Sequence, residues 1–232
     1  MSGEQVLPVG VISNQYAQDE EVAEVAVDDE AIWLEEPGGR VLVLHRSVRR
    51  GVPRGNVILI TGPGLGSSGL SHSANLRRSL TLYGWNTYFV RLPEYGASAG
   101  SPSEAGEGGA AESDRAGENR VRAAVALVRG RSSEGLVILI AQASGSRGLG
   151  EVTDLDVDGL ILLNLNVTPV NTTLLKDMTT PTLVLQEQPA YWQKKYPLAD
   201  SVELQQLPRS YPRQEDGRLL RRIRGWLKRR YG

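Results

Sequence analysis

The chain has 232 residues, a formal net charge of −1 and no cysteine. This length suits one large α/β domain with a sizeable core, and the near-neutral charge argues against a nucleic-acid-binding protein. Without cysteine the chain has no disulfides, thiol nucleophiles or thiolate metal sites.

No cluster of histidine and carboxylate residues has metal-ligand spacing, so we expect no metal and no cofactor. No apolar run approaches the roughly 18 residues that a membrane-spanning helix needs, and we expect no transmembrane segment. The first residues lack the basic and apolar regions of a signal peptide. We therefore expect a cytoplasmic protein, or a periplasmic one from which an export signal has been removed.

The first part of the chain predicts an arm and then a hairpin. Residues 1–30 are acidic and weakly patterned, which predicts an N-terminal arm ahead of a single domain, 31–232. The strand candidates Ala31–Leu34 and Arg40–Arg46 flank a Glu-Glu-Pro-Gly-Gly turn signal and predict a β-hairpin. The continuous apolar run Asn56–Thr61 is typical of a strand buried on both faces.

The rest of the chain alternates predicted helices and strands. A low-complexity stretch, 94–117, predicts a flexible loop. The predicted helices are Ser73–Tyr83, Glu118–Arg129, 144–152, Asn171–Met178, Pro189–Tyr196 and Gln214–Tyr231. The further predicted strands are Trp85–Leu92, Leu136–Ala141, Asp158–Leu165, Thr182–Gln186 and Ser201–Leu207. A leading hairpin and repeated strand–helix units predict an α/β fold, with a mostly parallel sheet of about eight strands, an antiparallel N-terminal hairpin and helices on both faces.

The most informative stretch follows the strand that begins at Leu136, where the chain reads Ala-Gln-Ala-Ser-Gly. In the nucleophile elbow Gly-x-Ser-x-Gly, a sharp turn exposes a serine, and the residues two before and two after it must be small. Ala141 and Gly145 meet that steric requirement. Ala143 occupies the apex, so the reactive hydroxyl is missing from its usual position.

The order of these elements over residues 31–231 resembles the α/β-hydrolase superfamily. Within it, the segments 82–93, 177–185 and 219–228 resemble an uncharacterised bacterial hydrolase-like family that is often exported. The resemblance implies a nucleophile, an acid and a histidine base, in that chain order.

The positions implied for the acid and the base carry neither. The acid aligns with Ala190, with Glu187 nearby, and the segment 208–212 expected to hold the base has no histidine. The only histidines, His45 and His72, both precede the elbow. We interpret His45 as a structural residue of the hairpin and His72 as a surface or capping residue.

These absences predict a catalytically degenerate protein that acts as a binding or interaction module for a protein or small molecule. The alternative is an active serine esterase or peptidase that uses Ser144 with an unrecognised base. A third interpretation is a scaffold that uses only its charged ends. In open α/β sheets ligands bind at the carboxyl ends of the strands, and the predicted ligand-binding residues there are Gly64, Leu65, Ser67, Gln142, Ala143, Ser144, Asn164 and Asn166.

The two ends of the chain carry opposite charge. Residues 1–39 contain ten acidic residues and no lysine or arginine, whereas the last predicted helix is strongly basic. Such runs are usually solvated surfaces. The alternative is that the arm, or an external anionic partner such as lipid headgroups, lies against this helix. The candidate partner-binding residues are Arg218, Arg221, Arg222, Arg224, Lys228, Arg229 and Arg230.

Overall fold

The computed structural model describes residues 19–24, 26–36, 39–62, 67–92, 107–132, 135–142, 149, 154–165, 175–208 and 217–232, with backbone only at 67–72 and 107–114. Within them the strands are β1 (Glu30–Glu36), β2 (Gly39–Arg46), β3 (Gly55–Thr61), β4 (Trp85–Arg91), β5 (Leu136–Gln142), β6 (Gly159–Leu163), β7 (Thr182–Gln186) and β8 (Val202–Gln206). The longer helices are α1 (Ser67–Leu82), α2 (Glu107–Arg131), α3 (Pro189–Lys195) and α4 (Gly217–Tyr231).

One sheet of eight strands, in the order β1-β2-β4-β3-β5-β6-β7-β8, organises the molecule. β2 is antiparallel to both β1 and β4, and every other neighbouring pair is parallel. The predicted mostly parallel sheet with an antiparallel N-terminal hairpin is therefore confirmed. The exchange of β3 and β4 places β3 and β5 side by side at the centre of the sheet.

Helices cover both faces of the sheet because each central strand is apolar on both sides. Ile58 and Ile60 of β3 pack into the cluster that α2 covers, while Val57 and Leu59 pack into the cluster under α1 and α4. The predicted apolar stripe of the last helix is confirmed, and its members in the second cluster are Leu219, Leu220, Ile223, Trp226 and Leu227.

Helix α4 approaches the start of β6 so closely that a side chain does not fit there. A Cβ at Gly159 would meet the Tyr231 hydroxyl, Cδ1 of Ile138 at 3.0 Å and Cη2 of Trp226 at 3.2 Å. The Tyr231 hydroxyl donates a hydrogen bond to the Asp158 carbonyl at 2.6 Å. Burial raises the pKa of Tyr231 to about 12, so this hydroxyl stays protonated and remains a donor at neutral pH.

The structure differs from the predicted elements in two places. Helix α2 begins at Glu107, so the loop predicted over 94–117 is wrong for its last eleven residues, 107–117. The start of α2 has few large apolar residues, so its composition resembles that of a low-complexity loop. Its alanines and glutamates are nevertheless strong helix formers. Residues 19–24 are helical, and Val22 and Ala23 pack against the cluster under α1 and α4.

Candidate functional site

Three polar side chains form a row across the centre of the sheet, where its parallel strands end. Arg91 of β4 is the register partner of Thr61 of β3, and Thr61 is the register partner of Gln142 of β5. All three alternate in phase with residues that pack under α1 and α4, such as Leu59 and Ile140. The row therefore lies on the α1 face, at the edge where open α/β sheets bind ligands.

The middle of this row contains polar atoms that no described residue satisfies. Thr61 and Gln142 are buried, and neither Oγ1 of Thr61 nor Nε2 of Gln142 has a hydrogen-bond partner among the described residues. The Gln142 Oε1 atom accepts a long hydrogen bond of 3.4 Å from the Ser73 hydroxyl of α1. Buried polar groups are nearly always paired with protein atoms or ordered water, so these two atoms need partners that the described residues do not supply.

Ionic contacts hold the Arg91 end of the row. The Arg91 guanidinium donates to Asp19 Oδ1 at 2.6 Å, and Arg120 of α2 donates to the Arg91 carbonyl at 2.8 Å and to Glu36 Oε2 at 3.1 Å. Burial raises the pKa of the Asp19 carboxyl above its usual range, while the positive charge of Arg91 acts in the opposite direction. These contacts fix the orientation of Arg91 and attach residues 19–24 to the site edge.

The ends of β6 and β7 are stabilised by contacts within the protein. Asn164 has a left-handed backbone with φ of 53°, which asparagine tolerates better than most residues, and its amide donates to the Leu185 carbonyl at 2.9 Å. The Gln186 side chain is buried and donates from Nε2 to the Leu165 carbonyl at 2.8 Å. Hydrogen bonds from the Asn164 backbone amide and the Gln186 side-chain amide therefore connect the ends of β6 and β7 at the carboxyl edge.

The position that the resemblance implies for the acid falls just after β7, in α3. Ala190 lies in the first turn of α3. Glu187, just after β7, is exposed, and its carbonyl accepts a hydrogen bond from Nε2 of Gln206 at 2.5 Å. Of the segment 208–212, only Pro208 falls within the described residues.

His45 belongs to an ionic network remote from the strand ends that form the row. Its Nδ1 atom lies 2.8 Å from Glu30 Oε2, and its ring stacks on Tyr88 at a centroid distance of 4.5 Å. Glu30 also accepts two hydrogen bonds from Arg131 at the end of α2. These contacts agree with the interpretation of His45 as a structural residue.

Of the predicted ligand-binding residues, Gln142 and Asn164 come together at the carboxyl edge as expected. Ser67 is the first residue of α1, and only its backbone is described. The remaining members of the set lie outside the described residues; they are Gly64, Leu65, Ala143, Ser144 and Asn166. His72 lies in α1, one residue before the Ser73 that contacts Gln142.

Sequence reasoning missed Thr61, Ser73 and Arg91. A signal was available for two of them, because Thr61 and Arg91 are polar residues at the last position of strongly apolar strands, as Gln142 is. Ser73 had no such signal. Its contact with Gln142 spans 69 positions in the sequence and depends on how α1 lies across β5.

Solved structures with a similar fold are serine hydrolases and esterases by name. An α/β serine hydrolase without a lid from Xanthomonas campestris is 18% identical, with 87% of this chain and 94% of that chain covered and a TM-score of 0.62. A cold-adapted esterase from an Arctic intertidal metagenomic library is 16% identical, with 88% and 94% covered and a TM-score of 0.62. The esterase domain of a Rhodothermus marinus protein is 12% identical, with 88% and 100% covered and a TM-score of 0.64.

No family model and no curated protein matches the sequence. The chain has the α/β-hydrolase fold, as the resemblance implied. The prediction of a degenerate binding module is contradicted, because the similar structures that span most of this chain are named as serine hydrolases and esterases. That prediction rested on the residues at all three positions implied for the nucleophile, the acid and the base.

Proposed function

We propose that the protein is a serine hydrolase that cleaves carboxylic esters at the carboxyl edge of its sheet. Support comes from the central position of β5, which is almost completely buried and is followed in the sequence by the small residues Ala-Ser-Gly. It also comes from the named hydrolases and esterases that share the fold. The observation that carries the proposal is the contact between Ser73 and Gln142, because it brings the start of α1 against the end of β5.

Ser144 is the proposed nucleophile. Ala143 has no hydroxyl, and Ser144 is the next residue after β5 with one. A base removes the Ser144 proton, and its Oγ attacks the ester carbonyl carbon. The alcohol then leaves with a proton, and water hydrolyses the acyl-enzyme to release the acid and restore the serine.

His72 is the proposed base. The four-residue spacing puts position 72 on the same row of α1 as Leu76 and Leu80, which are buried against the sheet. The contact of the neighbouring Ser73 with Gln142 supports a position close to the elbow. An imidazole suits this task because its ordinary pKa lies close to neutrality. A base supplied from α1 would explain why the segment after β8 needs no histidine.

The test is labelling by a fluorophosphonate probe combined with hydrolysis of short-chain aryl esters. The native protein is expected to be labelled stoichiometrically, and Ser144→Ala is expected to abolish both labelling and hydrolysis. Ser146→Ala is the matched control, since it removes a hydroxyl two residues further on and is expected to retain activity.

The base is tested by His72→Gln, with His45→Gln as the control. His72→Gln is expected to lower the hydrolysis rate by about 100-fold or more, the usual contribution of general base catalysis, and to remove the acidic limb of the pH profile. His45→Gln is expected to keep both. If native protein of intact fold is neither labelled nor active, the proposed function is wrong.

A further inference from the structure

A groove lies at the amino edge of the sheet, opposite the carboxyl edge that contains Thr61 and Gln142. This amino-edge groove has a volume of about 610 Å³ and is bordered by α4 and by the first residues of two central strands, Trp85 and Leu136. The strands between the two edges have seven residues each. At about 3.3 Å per residue the groove is therefore roughly 20 Å from the row that contains Thr61 and Gln142.

Four cations line the amino-edge groove, and one of them, Arg54, donates a hydrogen bond to the Gly232 carbonyl at 3.1 Å. The four are Arg54, Arg221, Arg224 and Lys228, and the lining residues that the structure describes include no acidic side chain. Arg224 lies over the Tyr83 ring, 3.2 Å from its centroid. Arg221 and Lys228 are exposed, and neither forms an ion pair with a carboxylate of the described residues.

The side of α4 that faces β8 differs from the side that lines the groove. The positive charge of the groove therefore does not follow simply from α4 being a basic helix. Arg229 forms an ion pair with Glu203 of β8 at 2.8 Å, and Arg222 donates to Gln205 at 3.5 Å. The cations that face β8 are therefore matched to polar partners on the sheet. Those that face the amino-edge groove have aromatic and apolar neighbours instead.

Exposed apolar side chains belong to the same edge. Val52 is 89% exposed, Leu82 is 61% exposed, and each lies within two residues of a groove residue, Arg54 or Tyr83. The Arg54 amide donates to the Gly84 carbonyl at 2.7 Å, which holds the two turns together. Cations beside exposed aliphatic and aromatic groups are the combination with which peripheral proteins bind an anionic bilayer.

We propose that the amino edge docks on a membrane surface that contains anionic phospholipids. Headgroup phosphates occupy the amino-edge groove, where guanidinium groups donate paired hydrogen bonds to phosphate oxygens, and Val52 and Leu82 contact the boundary of the acyl region. An acidic protein or nucleic acid would use the cations and leave these aliphatic side chains without a role. Among the described residues no helix has the length and apolar character to cross a bilayer, so the binding is peripheral.

Docking in this way would hold the carboxyl edge away from the bilayer and open to the aqueous phase. The proposal is independent of the hydrolase proposal, since membrane binding and ester hydrolysis are measured separately and involve residues at opposite edges.

The test is co-sedimentation of the full chain with vesicles of phosphatidylcholine alone or mixed with phosphatidylglycerol. Binding is expected only to the mixed vesicles, and it is expected to weaken when ionic strength rises from about 0.1 M to about 1 M, because screening shortens the reach of the field. Each cation near an anionic surface strengthens binding about fivefold, so Arg221→Gln combined with Lys228→Gln is expected to weaken binding about 30-fold.

The matched control is Lys176→Gln combined with Lys194→Gln, which removes the same charge from two exposed residues that do not line the groove. This control is expected to bind like the native chain. Val52→Asn keeps every cation and is expected to weaken binding about tenfold, because one apolar contact with the interface is lost.

Two results would overturn the proposal. One is equal loss of binding in the two double variants, which would show that only net charge matters. The other is saturable quenching of tryptophan fluorescence by inorganic phosphate without any binding to mixed vesicles. That result would make the groove a site for a free anion, with Trp85 as the reporter.

Discussion

The acidic segment before the sheet and the basic helix at the end of the chain have opposite charges, yet the described acids do not neutralise the helix. Asp29 accepts hydrogen bonds from both Arg46 and Arg77 at 2.5 Å. Other ion pairs of the acids in this segment and in β1 are Asp19 with Arg91, Asp28 with Arg46, Glu30 with Arg131, and Glu36 with Arg120. Each of these described acids therefore pairs with an arginine outside α4.

This difference shows that the burial of an arginine, and not the total charge of its region, determines whether it pairs with one of these acids. The arginines of the middle of the chain have side chains that the fold buries or half-buries, and a buried charge is costly unless a counter-charge accompanies it. Burial lowers the pKa of Arg77, and the carboxylate of Asp29 acts against that effect. The cations of α4 that face the groove stay in water, where they need no partner.

The largest effect that this comparison predicts is for Asp29→Asn. The side chains of Asp29 and Arg77 are only 2% and 4% exposed, so the substitution leaves a buried guanidinium without its counter-charge. We expect a loss of about 3–5 kcal/mol in the free energy of unfolding, measured by urea denaturation. Asp28→Asn is the control, because Asp28 is 63% exposed and is expected to cost no more than about 1 kcal/mol. Equal effects at the two positions would refute the role of burial.

A smaller loss is expected for Glu36→Gln. Glu36 pairs with the buried Arg120 at 3.1 Å, but Arg120 keeps its hydrogen bond to the Arg91 carbonyl. Removing one charged partner of such a hydrogen bond costs about 1.5–3 kcal/mol. The matched variant is Glu35→Gln, since Glu35 is the exposed neighbour in β1. Calorimetric unfolding of the two variants compares them, and a larger loss for Glu35→Gln would count against the prediction.

A still smaller, pH-dependent effect is expected at Glu30. Hydrogen bonds from Arg131 and His45 lower the pKa of Glu30 from 4.5 to about 2. Because the folded-state value is depressed, the contribution to stability is complete above about pH 4.5 and is lost as pH falls towards 2. Since half of the Glu30 side chain is exposed, screening limits this contribution to about 1 kcal/mol or less.

The measurement for Glu30 is the difference in unfolding free energy between native protein and Glu30→Gln across this pH range. The difference is expected to shrink on acidification and also with added salt. A difference that grew as the pH fell would have the wrong sign for a depressed pKa.

The smallest effect is expected on the basic side of the comparison. Arg221→Gln with Lys228→Gln changes two exposed residues of α4, while the buried residues that attach the helix to the sheet are untouched. We expect a change within about 0.5 kcal/mol in unfolding free energy. A loss as large as that of Asp29→Asn would show that these exposed cations also stabilise the fold. It would contradict the difference between the two charged regions.

At the site, sequence patterns predicted Gln142 and Asn164 but not the row to which Gln142 belongs. Polar residues that end apolar strands can be recognised from the sequence. Which of them lie side by side across the sheet cannot be recognised in this way. Thr61 and Gln142 are neighbours because β3 lies beside β5, although they are 81 positions apart in the sequence.

By itself the sequence determined the two-sided burial of the central strands and the apolar stripe of α4. These are local properties, because apolar residues that repeat every two positions in a strand, or about every 3.6 in a helix, indicate which side chains are buried. The tertiary structure alone decided which arginines receive the acids, which polar atoms share the carboxyl edge and which cations line the groove. Those outcomes depend on strand order and helix placement, which bring together residues whose local sequences carry no record of one another.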